Sequence, residues 1–253
     1  MLVHGGPFSY EYLEPLTAEL SGSLECIVYQ QRGLPPSPVG GPYTVAGHVA
    51  DALAVLDAVT DEKVWVIGHS WGGFLAMAIA AAAPERVAGY VPIEPCVPAG
   101  EAGEAGLREF GQSLQAILTD DEKRQMAEIA ARPVADAPIR LADAAGAVYW
   151  RAYFADPGSA PPLPDLPVNQ ACADQSLQDM VRVSQAGGLA ATLRALDLPA
   201  LFIEGALSSL RAPGEEFART LPRAEVAVVE NAGHFPWYEA PGRVGELVSS
   251  FTR

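Results

Sequence analysis

The chain has 253 residues, 49% of them hydrophobic, enough apolar material for a sizeable core and too much for a disordered chain. Its 16 basic and 31 acidic side chains leave a formal charge of −15. That surface repels phosphate backbones and anionic lipid, so nucleic acid and membranes are poor partners and a small molecule is the partner expected.

Short runs rich in β-branched residues recur along the chain. They are Leu2-Val3, Leu24 to Tyr29, Val64 to Ile67, Val87 to Ile93, Leu201 to Ile203 and Val226 to Val229. Helix-period segments lie between most of them, most clearly Tyr10 to Leu20, Val45 to Val59 and Phe74 to Ala83. Near-continuous apolar strands alternating with amphipathic helices predict an α/β fold, with a mostly parallel sheet covered on both faces. Chemistry in such a sheet belongs at the carboxyl ends of the strands.

The alternation stops after Glu94. Leu107 to Ala131, Arg140 to Phe154 and Leu177 to Gln185 have helical patterns, and Asp156 to Pro167 carries five prolines and reads as an extended connector. This spacing predicts a core over residues 1–96, a helical lid inserted over 97–196, and the rest of the core over 197–253. No stretch is long enough to span a bilayer, the longest apolar one being Phe74 to Ala83. The first residues show no secretory signal. Cys26, Cys96 and Cys172 are scattered and unpaired in sequence, as in core cysteines of a reducing compartment. A cytoplasmic location is expected, and oligomeric state is not legible.

The chemical signal is Gly68-His69-Ser70-Trp71-Gly72-Gly73, placed between a strand and a helix. Glycines flanking Ser70 leave room for a strained turn that pushes its hydroxyl clear of the backbone, and the following helix points N–H groups at any developing oxyanion. The null alternative is a plain tight turn.

With these residues the sequence resembles the serine α/β-hydrolase family. His4-Gly5-Gly6-Pro7 is similar to the family's oxyanion-hole loop, which implies the backbone N–H groups of Gly6 and Trp71 as the two donors. Gln30-Gln31-Arg32-Gly33 resembles a segment of the proline iminopeptidase branch, with Gln30 where that branch has Asp. Pro84-Glu85-Arg86-Val87 is also a common pattern of the family. Its members normally place two strands before this loop. Because the loop begins here at His4, the resemblance implies either a trimmed or late-started chain or a sheet without its first two strands.

A serine hydroxyl needs a base to take its proton. Of four histidines, His4 belongs to the loop, His69 projects away from its neighbour Ser70, and His48 reads as a surface or packing residue. His234, in Asn231-Ala232-Gly233-His234-Phe235-Pro236, occupies the late loop where the family keeps its base. The family's usual acid is an Asp three residues after a Gly beyond the penultimate strand, and here that place holds Ser208. No Asp follows Asp197. Two carboxylates are candidates. Glu94 ends the strand after the elbow helix, similar to haloalkane dehalogenases and to zearalenone-type lactonases that pair a Ser with such a Glu. Glu204 lies directly before Gly205.

The resemblance implies Ser70 attacking a carbonyl, His234 relaying the proton and Glu94 holding the imidazolium. No metal or organic cofactor is required. Trp150, Tyr153 and Phe235 are candidate substrate-binding aromatics, which suits a carboxylic ester or lactone of a small, fairly apolar molecule. Two other readings stay open: a proline iminopeptidase-like aminopeptidase, whose substrate amine would meet acidic residues such as Glu101, Glu104, Glu109 and Glu128, and a hydrolase-fold binding protein or receptor with little turnover.

Overall fold

The computed structural model describes residues 1–6 and 8–253. Pro7, the last residue of the His4-Gly5-Gly6-Pro7 motif, lies outside the described residues. The strands are β1 (Leu2–Val3), β2 (Val64–His69), β3 (Val87–Ile93), β4 (Ile139–Arg140), β5 (Pro167–Val168), β6 (Ala200–Gly205) and β7 (Ala224–Val229). The α-helices are α1 (Glu14–Leu20), α2 (Val45–Val59), α3 (Trp71–Ala82), α4 (Glu101–Ile117), α5 (Asp120–Ala130), α6 (Ala145–Tyr149), α7 (Gln170–Ala186), α8 (Gly188–Ala195), α9 (Arg211–Ala218), α10 (Pro236–Glu239) and α11 (Arg243–Phe251).

The main sheet is parallel with strand order β1-β2-β3-β6-β7. Alternation of side chains along each strand divides the core in two. Val66, Tyr90 and Phe202 face a layer built with α2, α3 and α8, while Ile67, Val91, Leu201 and Ile203 face one built with α1 and α11. Both faces of the central strands are therefore covered, which is why they read as continuous apolar runs. The central helix α3 is buried over most of its length, matching its Ala- and Gly-rich sequence.

Three differences from the expected elements have local causes. Leu24 to Tyr29 forms no strand: Val28 makes a single bridge to Leu2, and the Leu2 N–H donates to Ile27 at 2.8 Å. A β1 of two residues offers no longer ladder. Helix α3 starts at Trp71, because the chain leaves the Ser70 turn already helical. The pattern over Arg140 to Phe154 breaks into a 3-10 turn at Leu141–Asp143, α6, and a second 3-10 turn at Trp150–Tyr153. Extended backbone at Ala144 (φ −105°, ψ 162°) separates the first two.

Residues between β3 and β6 are mainly helical, apart from a small antiparallel pair of β4 with β5. Helix α5 buries no side chain. Its Thr119 cap and Glu122 form a reciprocal capping box, and Glu122 also takes Arg151 at 2.5 Å. Arg151 thereby holds the Glu122 carboxyl down to about 2 and fastens α5 to the second 3-10 turn. No helix of the described residues is long and apolar enough to cross a membrane.

The turn at Ser70 depends on bare backbone. A Cβ on Gly68 would sit 2.0 Å from the Gly72 carbonyl oxygen, and one on Gly72 would sit 2.1 Å from that of Val3. Neither neighbour is a flexible side-chain end. Gly72→Ala is expected to lose about 3 kcal/mol or more in urea unfolding. Gly22→Ala, which meets nothing within 4 Å, is the control expected to change little.

Candidate active site

Ser70 has φ 55° and ψ −118°, outside the regions comfortable for a residue with a Cβ. The surroundings hold it there. Its N–H donates to Ile93 at 2.9 Å, and its carbonyl accepts from Gly73 at 2.9 Å, Phe74 at 3.2 Å and Cys96 at 3.4 Å. Such over-determined strain is a known feature of functional turns. Ser70 lines a cavity, and so does the thiol-bearing Cys96. Burial pushes that thiol up to about 12, so it is uncharged.

His234 lines the same cavity and is 4% exposed. Its Nδ1 lies 3.2 Å from Glu94 Oε2. The His234 N–H donates to Tyr153 at 2.9 Å, and Glu239 ties the loop further by accepting from Gly233 and Ala155, each at 2.7 Å. Burial lowers the imidazole to about 3. No hydrogen bond joins Ser70 to His234 in this arrangement; catalytic hydrogen bonds of this kind commonly tighten in the complex with substrate.

Glu94 leaves β3 with φ 48° and no exposed surface. Its N–H donates to Ile203 at 2.8 Å. Its Oε1 accepts from the Gly205 N–H at 2.5 Å, and its Oε2 accepts from the Ser208 hydroxyl as well as facing His234. Ser208 thus occupies the place where the sequence reading looked for an acid, and it donates to the acid supplied by the next strand. Burial still raises Glu94 to about 8. Glu204 is fully buried beside it, and no hydrogen bond links Glu204 to His234 among the described residues.

A chain of neutral groups ties the loops together. The Gly5 N–H donates to the Tyr12 hydroxyl at 2.5 Å, that hydroxyl meets His69 Nδ1 at 2.9 Å, and His69 Nε2 meets the His234 carbonyl at 2.8 Å. A carbonyl can only accept, so Nε2 carries the proton and Nδ1 accepts from Tyr12. Burial keeps His69 uncharged, well below the ordinary histidine value. A second set fixes His4. Its Nε2 accepts from the Gln31 N–H at 3.0 Å, and its carbonyl accepts from Gln31 Nε2 at 2.5 Å. Gln31 Oε1 then takes the Trp71 indole N–H at 3.0 Å. Tyr12 and Gln31 were not singled out in the sequence, although the Gln30-Gln31 segment was a signal for the latter. Gly6 lines the cavity and its N–H has no backbone acceptor among the described residues. Trp71, first in α3, has no intrahelical acceptor.

The cavity holds about 400 Å³. Leu107, Phe110, Tyr149, Tyr153, Leu177 and Met180 form its apolar side, and Gln31, Arg32, Asn169, Gln170 and Asp174 its polar side. Of the expected aromatics, Tyr153 lines it. Trp150 and Phe235 are behind the wall: Trp150 donates to the Pro161 carbonyl at 2.7 Å and packs on Phe154 and Phe235, and Phe235 is 0% exposed. Aromatic clustering at the cavity's back explains why sequence spacing alone selected them. His48 is no surface residue. It is 2% exposed, lines the cavity and meets the Trp71 ring edge-on at 5.4 Å. Glu101, Glu104, Glu109 and Glu128 do not line the cavity, and among the described residues Asp174 is the one carboxylate that does. Asp174 accepts from Gln170 at 2.7 Å, and Arg32 is spanned by Asp51 at 2.6 and 2.7 Å. Among the described residues no group of three or more His, Cys, Asp or Glu side chains is gathered as a metal would require.

Tyr12→Phe tests the neutral chain. It leaves the buried Gly5 N–H and His69 Nδ1 without a partner, and a loss of about 1–3 kcal/mol in urea unfolding is expected. A loss below a few tenths of a kcal/mol would mean the chain carries nothing.

Comparison with known proteins accords with this geometry. A profile of the Alpha/beta hydrolase family matches residues 1–247. A Bacillus subtilis protein with the provisional name 2-succinyl-6-hydroxy-2,4-cyclohexadiene-1-carboxylate synthase is 26% identical over 238 residues, covering 90% of this chain and 79% of that one. Lipase LipV of Mycobacterium tuberculosis is 44% identical over 61 residues, 24% of this chain and 23% of its own. Among solved structures, a thermophilic esterase from Thermogutta terrifontis superposes with a TM-score of 0.67 at 22% identity, covering 100% of this chain and 88% of that one. Est816, described as an N-acyl homoserine lactone degrading enzyme, superposes with a TM-score of 0.68 at 24% identity, covering 99% and 91%. At such identities the superpositions speak to the fold, while the profile spans nearly the whole sequence. The chain belongs to the alpha/beta hydrolase family.

Proposed function

We propose that this protein is a serine hydrolase that cleaves a carboxylic ester or lactone of a small, largely apolar molecule through an acyl-enzyme. The observation that carries the reading is the buried contact of His234 Nδ1 with Glu94 Oε2 at 3.2 Å, on the same cavity as the strained Ser70. Relatives described as a lipase, an esterase and a lactone-degrading enzyme support the reaction class.

In this mechanism Ser70 Oγ attacks the substrate carbonyl while His234 Nε2 takes its proton. Glu94 holds the imidazolium through Nδ1. The N–H groups of Gly6 and Trp71 receive the oxyanion, in a cavity dry enough for those dipoles to count. His234 then returns the proton to the departing alkoxide, and water repeats the sequence to release the acid. The segment over residues 97–196 acts as a lid, bringing Leu107, Phe110, Tyr149 and Tyr153 over the acyl or alcohol group.

Reaction with a fluorophosphonate probe, followed by a panel of esters and lactones, is the test. Labelling at Ser70 that Ser70→Ala abolishes is expected, and a wild-type protein that neither labels nor turns over any ester would overturn the reading in favour of a binding protein. Glu94→Gln should lower kcat by about a hundredfold or more with the fold intact.

The pH dependence has a definite sign. The acid must be ionised, and burial raises Glu94 to about 8, whereas burial keeps His234 unprotonated. Activity is therefore expected to keep rising with pH beyond the ordinary histidine value of 6.5. A kcat/KM plateau reached below that value would contradict the assignment.

A further inference from the structure

Glu204 is used by no step above, yet its carboxyl is fully buried beside the site. It lies on β6, in register with Val228 of β7, with 0% of its surface exposed. Neither carboxyl oxygen has a donor among the described residues. Helix α9 closes over it so tightly that a Cβ on Gly214 would stand 1.9 Å from Glu204 Oε1. The charged and titratable groups that face it are Glu94 from the end of β3, and Arg211 and Glu215 from α9. Arg211 is already paired with Glu215 at 2.7 Å, so its charge is largely spent. Glu94 is fastened to the residues on either side of Glu204: the Glu94 N–H donates to the Ile203 carbonyl at 2.8 Å, and Glu94 Oε1 accepts from the Gly205 N–H at 2.5 Å.

Two carboxylates this close and this dry cannot both be ionised, so the pair holds at least one proton. The surroundings decide where it sits. Glu94 receives the Gly205 N–H, the Ser208 hydroxyl and His234, all of which favour its charged form. Glu204 receives none of these, and both burial and the charge of Glu94 raise it well above the ordinary carboxyl value. An unpartnered buried carboxyl is costly, and one shared proton removes the cost from both partners.

We propose that Glu204 is a positioning residue: a carboxylic acid that stays protonated after Glu94 has ionised, donates its O–H to the Glu94 carboxylate, and so keeps Glu94 Oε2 turned toward His234. This rests on the reading of Glu94 as the triad acid. The carboxyl pair carries a single negative charge, delivered to the imidazole side. Glu204 itself touches neither substrate nor the reacting atoms.

Glu204→Gln keeps a neutral donor of the same shape, whereas Glu204→Met keeps volume and loses the donor. The amide variant is expected to retain most of the wild-type kcat for a simple aryl ester. The methionine variant should lose about ten- to a hundredfold in kcat, the rate equivalent of one hydrogen bond to a charged group, with KM little changed. Without that donor Glu94 ionises less readily, so the acid limb of kcat/KM should move to higher pH in Glu204→Met and stay in place in Glu204→Gln. Equal kcat and equal acid limbs in the two variants would overturn the proposal.

Infrared spectroscopy of the full-length protein keeps the question open to decision even if Glu204→Met does not fold. At a pH above 8, where Glu94 is ionised, a carboxylic acid carbonyl band from a buried, non-exchanging group is expected in the wild type, absent in Glu204→Gln and present in Glu94→Gln. A band that persists in Glu204→Gln and vanishes in Glu94→Gln would put the proton on Glu94 and overturn the proposal. No band in the wild type would do the same. Fluorophosphonate labelling of the wild type, run alongside, separates this failure from failure of the serine-hydrolase reading.

Discussion

One uncharged imidazole, that of His69, sets the spacing of the whole site. Neutral histidine has one donor and one acceptor on opposite edges, so it can join two loops only in one orientation. The His234 carbonyl takes the donor edge and the Tyr12 hydroxyl fills the acceptor edge, with Gly5 behind it. The loop before α1, the turn at the end of β2 and the loop after β7 are thereby linked through a side chain that is 2% exposed. A protonated His69 would present two donors and leave the Tyr12 O–H without its acceptor, so burial that keeps it uncharged is part of the architecture. Hydrophobic packing places these loops near one another, and the directional bonds decide their distances.

Around that pivot the molecule concentrates its unfavourable features. Ser70, Glu94 and Asn231 are the described non-glycine residues with positive φ, at 55°, 48° and 58°. They stand at the ends of β2 and β3 and just beyond β7, the carboxyl edge at which a parallel sheet presents its loops. Two of the three lean on regular structure: Ser70 on Ile93 and Glu94 on Ile203, through N–H donation to the neighbouring strand. The buried charge of Glu94 is met in the same way, by one backbone donor and one hydroxyl on the β6–α9 connection. Burial of an ion without such donors would cost more than a domain of this size can spare.

Much of this was legible in the sequence because it depends on strong local rules. Continuous β-branched runs gave β2, β3, β6 and β7 their positions, and glycines around Ser70 marked a turn that only bare backbone can make. The absence of any Asp after Asp197 directed attention to Glu94, which the structure places against His234. What stayed hidden depends on contacts distant in sequence. Leu24 to Tyr29 has the composition of a strand, but its neighbour β1 is too short to pair with it. Trp150 and Phe235 carry the same aromatic signal as Tyr153, and only packing shows which rings face the cavity. Ser208 looked like a missing acid, and its hydroxyl bond to Glu94 spans 114 positions. Tyr12 and Gln31 are ordinary residues in a sequence, and their importance comes from the groups that fold against them.

The central claim is covalent chemistry at Ser70 supported by a Glu acid from β3. Trapping the intermediate tests it most directly: intact-mass spectrometry after rapid mixing with a slowly deacylating aryl ester, followed by peptide mapping. The account predicts a mass increase equal to one acyl group, located on Ser70. Turnover of the ester with no acyl adduct, or with the adduct on another residue, would contradict it.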